Sequence, residues 1–216
     1  MLTARFRLLL IVPLLFCLAF AAFALEEGHE KKEEGFRFRF VGPAIGNRVA
    51  SIAGVPGDPS TYYAGAASGG VWKSSDGGNR WDPMFDKEPV AAIGALAVAA
   101  SDHSIVWAGT GEAWAIRDTD VTGNGVYKST DAGKTWTHMG LDQTGRIGRV
   151  IVNPQNANIV FVCALGRLTG PQQERGVYRT TDGGQHWDRI LFADENTGCS
   201  GLSMDPQNPL TLFAGM

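Results

Sequence analysis

Three cysteines, four histidines and ten prolines are spread thinly through 216 residues, and each shortage removes a class of protein. So few cysteines exclude a small fold stapled by several disulfides. The histidines (His29, His103, His138 and His186) are scattered, and no zinc-ligand spacing forms between them and the cysteines. Beyond the N-terminus no long amphipathic helical period is present. No nucleophilic-serine or nucleotide-binding constellation stands out, because the glycine-rich stretches recur as turns. Charge of one sign is lacking as well: 19 basic residues face 22 acidic ones, a formal charge of −3. That balance argues against a nucleic-acid partner. No cofactor and no metal are expected.

Glycine is abundant, at 28 residues, beside many short apolar runs of Val, Ile, Phe and Tyr and a hydrophobic content of 44%. This composition predicts short strands joined by tight turns.

Residues 1–24 read as a secretion signal, with Arg5 and Arg7 ahead of an apolar run and Ala22-Phe23-Ala24 as a peptidase site. A retained membrane anchor is the competing reading, since the run approaches the length of a bilayer span. Cleavage would leave 17 of the 19 basic residues against 22 acidic ones, a charge of −5, on an exported protein with no membrane contact. Residues 25–40 form a charged leader, solvated and without apolar period. Cleavage also removes Cys17. The remaining pair, Cys163 and Cys199, then either forms one disulfide or stays as two buried thiols.

An internal repeat decides the architecture. Ser74-Ser75-Asp76-Gly77-Gly78-Asn79-Arg80-Trp81, Ser129-Thr130-Asp131-Ala132-Gly133-Lys134-Thr135-Trp136 and Thr180-Thr181-Asp182-Gly183-Gly184-Gln185-His186-Trp187 all fit S/T-x-D-x-G-x-x-W, with aspartates 55 and 51 residues apart. Gly-Val-aromatic-basic precedes each box, as in Gly125-Val126-Tyr127-Lys128. A second aromatic strand lies further upstream: Tyr62-Tyr63-Ala64-Gly65, Val106-Trp107-Ala108-Gly109 and Val160-Phe161-Val162-Cys163, with Leu212-Phe213-Ala214-Gly215 opening a fourth copy. Each unit reads as an antiparallel meander, for example residues 146–152, 159–165, 176–180 and 187–192. The predicted class is therefore all-β, a β-propeller of four-stranded blades spanning residues 41–216, with three complete blades and the start of a fourth. Three such units do not close a ring, so further blades are expected outside this sequence. In the boxes, Asp76, Asp131 and Asp182 would accept backbone N–H bonds. Gly78, Gly133 and Gly184 would take positive φ, and Trp81, Trp136 and Trp187 would anchor the returning strand.

These boxes resemble the Asp-box, or BNR, repeats of sialidases, sortilin-type propellers and xyloglucan-hydrolysing propeller enzymes. The resemblance covers about residues 42–216, and the phrasing around the boxes is most similar to bacterial exported proteins with a sortilin N-terminal-type domain. It implies a propeller fold; on function it is less specific, since one fold hosts unrelated activities.

Function is expected on the face opposite the boxes, where the loops between second and third strands lengthen in units two and three. They carry Glu112, Trp114, Arg117, Asp118 and Asp120, then Arg167, Gln172, Gln173, Glu174 and Arg175, while Arg48, Arg146 and Arg149 lie near the starts of inner strands. Guanidinium groups and an indole would bind a peptide, a sugar or an anion. The sortilin resemblance implies a non-catalytic module for a protein, peptide or glycan, which is the first reading. The alternative is a glycoside hydrolase acting on a polysaccharide, which needs two carboxylates across the scissile bond; Glu112 with Asp118 or Asp120 is the set to test. Xyloglucan-hydrolysing relatives carry an Asp ahead of the glycine pair after the first such aromatic strand, where this sequence has Ala67, a departure that counts against the activity. Sialidase chemistry fits less well, because Tyr62, Tyr63, Tyr127 and Tyr178 occupy strand-packing positions.

Overall fold

The computed structural model of the chain describes residues 42–43, 48–114 and 121–216. The signal and leader expectations for residues 1–40 lie outside the described residues, as do Arg117, Asp118 and Asp120.

Strand-forming runs alternate with turns capped by short polar side chains. Blade I consists of β1 (Val49–Val55), β2 (Asp58–Ala66), β3 (Gly70–Ser74) and β4 (Asp82–Pro83). Blade II has β5 (Ile93–Val98), β6 (Val106–Thr110), β7 (Val126–Ser129) and β8 (Thr137–His138). Blade III has β9 (Ile147–Asn153), β10 (Asn156–Ala164), β11 (Gly176–Thr180) and β12 (Asp188–Leu191), and β13 (Gly201–Met204) with β14 (Leu212–Gly215) begins a fourth. Each complete blade is a four-stranded antiparallel sheet in sequence order. Among the described residues there is no helix. The turns between first and second strands are closed by Asx contacts: Asp102 Oδ1 accepts Ser104 N–H at 2.9 Å, Asn153 Oδ1 accepts Gln155 N–H at 2.8 Å, and Asp205 Oδ1 accepts Gln207 N–H at 2.8 Å. The fourth strand of each blade is short and exposed, because it is an outer edge with apolar packing on neither side.

The blades stack through their faces, with inner strands β1, β5, β9 and β13 adjacent in that order. Tyr63, Val71, Phe85, Ile93, Leu96 and Tyr127 fill the I–II interface. Trp107, Val126, Ile147, Val150, Val162 and Tyr178 fill II–III. Backbone proximity fixes residue size here. A Cβ on Gly65 would lie 2.5 Å from Ile93 Cγ2, and one on Gly109 would lie 2.4 Å from Ile147 Cγ2. The pairings Arg149↔Cys163 and Gly201↔Gly215 make Cys163 the counterpart of those glycines and Cys199 the counterpart of the isoleucines. There the contact is covalent: Cys163 and Cys199 form a disulfide that ties blade III to the start of blade IV.

The boxes form the same turn in all three blades. Ser74 Oγ donates to Asp76 Oδ1 at 2.9 Å and accepts Gly78 N–H at 2.9 Å, while Asp76 Oδ1 accepts Arg80 N–H at 2.9 Å. Ser129 and Asp131, then Thr180 and Asp182, repeat the pattern at 2.8–3.0 Å. Gly78, Gly133 and Gly184 have φ of 87°, 90° and 99°. The residue before each is also left-handed, including Ala132 at φ 58°.

The second and third boxes also touch the preceding blade. Trp136 Nε1 donates to Met84 O at 2.8 Å and Trp187 Nε1 to Met139 O at 2.7 Å, each reaching back one blade. From the other side, Tyr63 Oη and Lys73 Nζ donate to Ala132 O at 3.0 and 3.2 Å, and Lys128 Nζ donates to Gly183 O at 3.1 Å. Trp81 Nε1 bonds within its own turn, to Gly78 O at 3.1 Å.

Candidate functional site

The boxes face one end of the strands and the long second-to-third-strand loops face the other. Their carboxylates are committed to the turns. Asp131 is lowered to about 2 by the Thr135 hydroxyl first, then the Thr135 N–H and the Ser129 hydroxyl. Asp182 lies well below the usual carboxylate range, chiefly through the His186 ring 2.6 Å away, and Asp76 is lowered chiefly by the Arg80 N–H. A carboxyl group so stabilised as the anion is a poor general acid near neutrality.

On the opposite end, the base of the blade II loop is tightly built. Glu112 N–H donates to Val121 O at 3.0 Å, closing the loop, and Gly123 N–H reaches Gly145 O of the next unit at 2.6 Å. A Cβ on Gly111 would lie 2.1 Å from Gly145 O, so this crossing requires glycine. Glu112 is buried, at 4% exposure, and accepts Arg48 Nε at 2.7 Å, with Arg48 Nη2 on the same oxygen. That pair joins the start of blade I to the blade II loop.

The blade III loop is held by Arg175. Its guanidinium donates to four backbone carbonyls: Leu165 at 2.5 Å, Glu195 at 2.9 Å, Arg167 at 3.0 Å and Gly170 at 3.1 Å. Arg146, also buried, donates to Gly166 O at 2.7 Å. Arg175 and Arg146 therefore shape the loop that sequence reading had them present to a ligand. Arg167 lies at the surface and donates to Gln143 Oε1 at 3.0 Å, and Gln172 also bonds Gln143.

Two of the expected ligand groups are brought together. Trp114, 64% exposed, and Arg149 line a cleft of about 550 Å³ along the inner strands, with walls from Ser51, Ile52, Gly94, Gly148 and Leu202. Among the described residues no carboxylate lines it. The small wall residues Ala50, Gly94, Gly148 and Ser200 were not singled out from sequence. Their signal is the repeat register, since they occupy one position in four successive inner strands. At the position expected to hold an Asp in xyloglucan-hydrolysing enzymes, Ala67 is buried and its N–H donates to Arg48 O at 2.9 Å.

No family model matches the chain. A probable oligoxyloglucan-reducing end-specific xyloglucanase of Neosartorya fischeri is 32% identical over 148 residues, covering 65% of this chain and 16% of that protein. The chain spans 16–20% of the length of the curated relatives it matches. Among solved structures, an ancestral GH74 enzyme superposes with TM-score 0.63 at 23% identity, covering 80% of this chain and 22% of that one. A second, YCF48 bound to a D1 peptide, gives TM-score 0.54 at 14% identity, over 77% of this chain and 48% of that one. These likenesses and the blade stacking define the class: the chain is part of a β-propeller. Its sequence relatives bear xyloglucanase names.

Proposed function

We propose that the cleft holding Trp114 and Arg149 binds a polysaccharide, and that the chain is the glycan-engaging part of a larger exported propeller protein. The observation that carries this is the exposed indole of Trp114 in a cleft whose walls, Arg149 apart, are small and aliphatic side chains. An aromatic face at a concave surface offers apolar stacking area to a sugar ring while its hydroxyls stay wet. Similarity to xyloglucanases over most of the chain supports a glycan over the peptide implied by the sortilin resemblance. Export follows from reading residues 1–24 as a cleaved signal and residues 25–40 as a leader.

The test is affinity electrophoresis of the secreted protein in gels containing plant cell-wall polysaccharides, with a peptide array in parallel. Retardation that falls at least tenfold in affinity in Trp114→Ala supports the reading. Selective peptide binding with no glycan retardation would overturn it in favour of the sortilin-like role.

Hydrolysis is a second reading, favoured by the same relatives. It would draw its carboxylates from Glu112 and from Asp118 or Asp120. Ala67 and the Arg48–Glu112 pair weigh against it, because the Glu112 carboxyl is buried against the Arg48 guanidinium rather than open to a substrate. Reducing-end release that disappears in Glu112→Gln or Asp118→Asn would establish it.

A further inference from the structure

We infer that the polysaccharide taken by this cleft is acidic, with a uronate carboxylate seated on Arg149; this rests on the glycan reading above. The first reason is register. Ser51 pairs with Gly65, Ala95 with Gly109, Arg149 with Cys163 and Gly201 with Gly215, so these four occupy one position in β1, β5, β9 and β13. The fold accepts a hydroxymethyl, a methyl or a hydrogen there. Nothing in blade construction calls for a guanidinium, which appears in one inner strand only.

The second reason is how arginines are used elsewhere. Arg48 bonds Glu112, Arg146 and Arg175 bond loop carbonyls, Arg167 bonds Gln143, and Arg179 and Arg80 meet Asp188 and Asp82. Arg149 is exposed, and its side chain has no hydrogen bond or ion pair among the described residues. It lines a cleft that, among the described residues, no carboxylate lines. A planar fork of this kind matches a carboxylate through two parallel charge-assisted bonds, whereas a neutral glucan offers it only hydroxyl acceptors without the charge.

The third reason is placement. A Cβ on Gly148, the residue before Arg149, would lie 3.7 Å from Ala113 Cβ, the residue before Trp114. The indole and the guanidinium thus belong to residues that follow two neighbouring positions and line one cleft. A formal charge of −3 on the whole chain opposes indiscriminate adsorption of polyanions, so acid preference would report the cleft.

The experiment is calorimetric titration of the secreted protein, at physiological salt, with oligogalacturonate, with the same oligomer after carboxyl reduction, and with neutral xyloglucan oligosaccharide. Oligogalacturonate is expected to bind at least tenfold more tightly than its reduced form. Arg149→Ala should erase that difference, Arg149→Lys should keep part of it, and Trp114→Ala should weaken both sugars alike. An unchanged melting temperature in Arg149→Ala shows that folding is intact. Equal binding of acidic and reduced oligomers, or a preference that survives Arg149→Ala, overturns the inference. If neutral xyloglucan binds and Trp114→Ala abolishes it with no acid preference, the glycan reading stands and this inference alone fails. Binding of peptide and no sugar overturns both.

Discussion

At the residue scale, Arg175 shows how a charged side chain becomes scaffold. Its guanidinium meets four carbonyls, three within residues 165–175 and the fourth Glu195 O, which also accepts Gln172 N–H at 2.8 Å. Hydrogen bonds to a charged donor contribute about 1.5–3 kcal/mol each in buried settings, but water reaches part of this loop once the side chain is gone. Arg175→Ala is therefore expected to destabilise the protein by about 2–4 kcal/mol, read as a lower urea midpoint with unchanged slope. Arg175→Lys should recover little, because one ammonium does not span the fork. Wild-type stability in Arg175→Ala would return the residue to the ligand-binding role expected from sequence.

At the scale of the element, the box is a hydroxyl–carboxylate turn whose bonds favour the ionised Asp. The Asp131 carboxyl falls from 3.8 to about 2, and Asp182 is lowered further. A group whose folded pKa lies below its unfolded value contributes stability that is full above the unfolded pKa and is lost as pH falls through the folded one. Stability is thus expected to hold flat from about pH 7 to pH 5 and to decline between roughly pH 4 and pH 2, in thermal melts across that range. Asp131→Asn should flatten part of that decline at the cost of a lower melting temperature at neutral pH. An acid limb identical in wild type and variant would show that the box carboxylate contributes nothing to it.

At the scale of the whole molecule, blade-to-blade contact is the unit of cohesion, and one contact has changed its chemistry. Between blades I and II, Ile93 sits on Gly65; between II and III, Ile147 sits on Gly109; at the next interface Cys199 is bonded to Cys163 across 36 residues. Closing a loop of that length stabilises by about 3–4 kcal/mol in the chain-entropy account. Reductant or the double variant Cys163→Ala/Cys199→Ala should lower the melting temperature by several degrees. The pair Cys163→Gly/Cys199→Ile, which restores the contact used by the other blades, should melt above the double alanine variant. If it melts no higher, the equivalence of the three interfaces is wrong.

The sequence by itself determined the repeat, and with it the class and the strand order. S/T-x-D-x-G-x-x-W is a local turn, and local chemistry is legible without knowing what lies across from it. Residues 176–180 were placed as a strand with the bounds observed, and the outer strand expected at 187–192 was shortened to Asp188–Leu191, since an exposed edge has little to hold its ends. The tertiary structure alone decided which arginines the described residues engage. Arg146, Arg149 and Arg175 look alike in sequence, and only the packing of neighbouring loops spends two of them on backbone carbonyls and leaves Arg149 in the cleft. It also resolved the open pairing of Cys163 and Cys199 and revealed that Trp136 and Trp187 each bond the blade before their own. Both depend on residues far apart in the chain meeting across a blade interface, a relation that periodicity along the sequence does not encode.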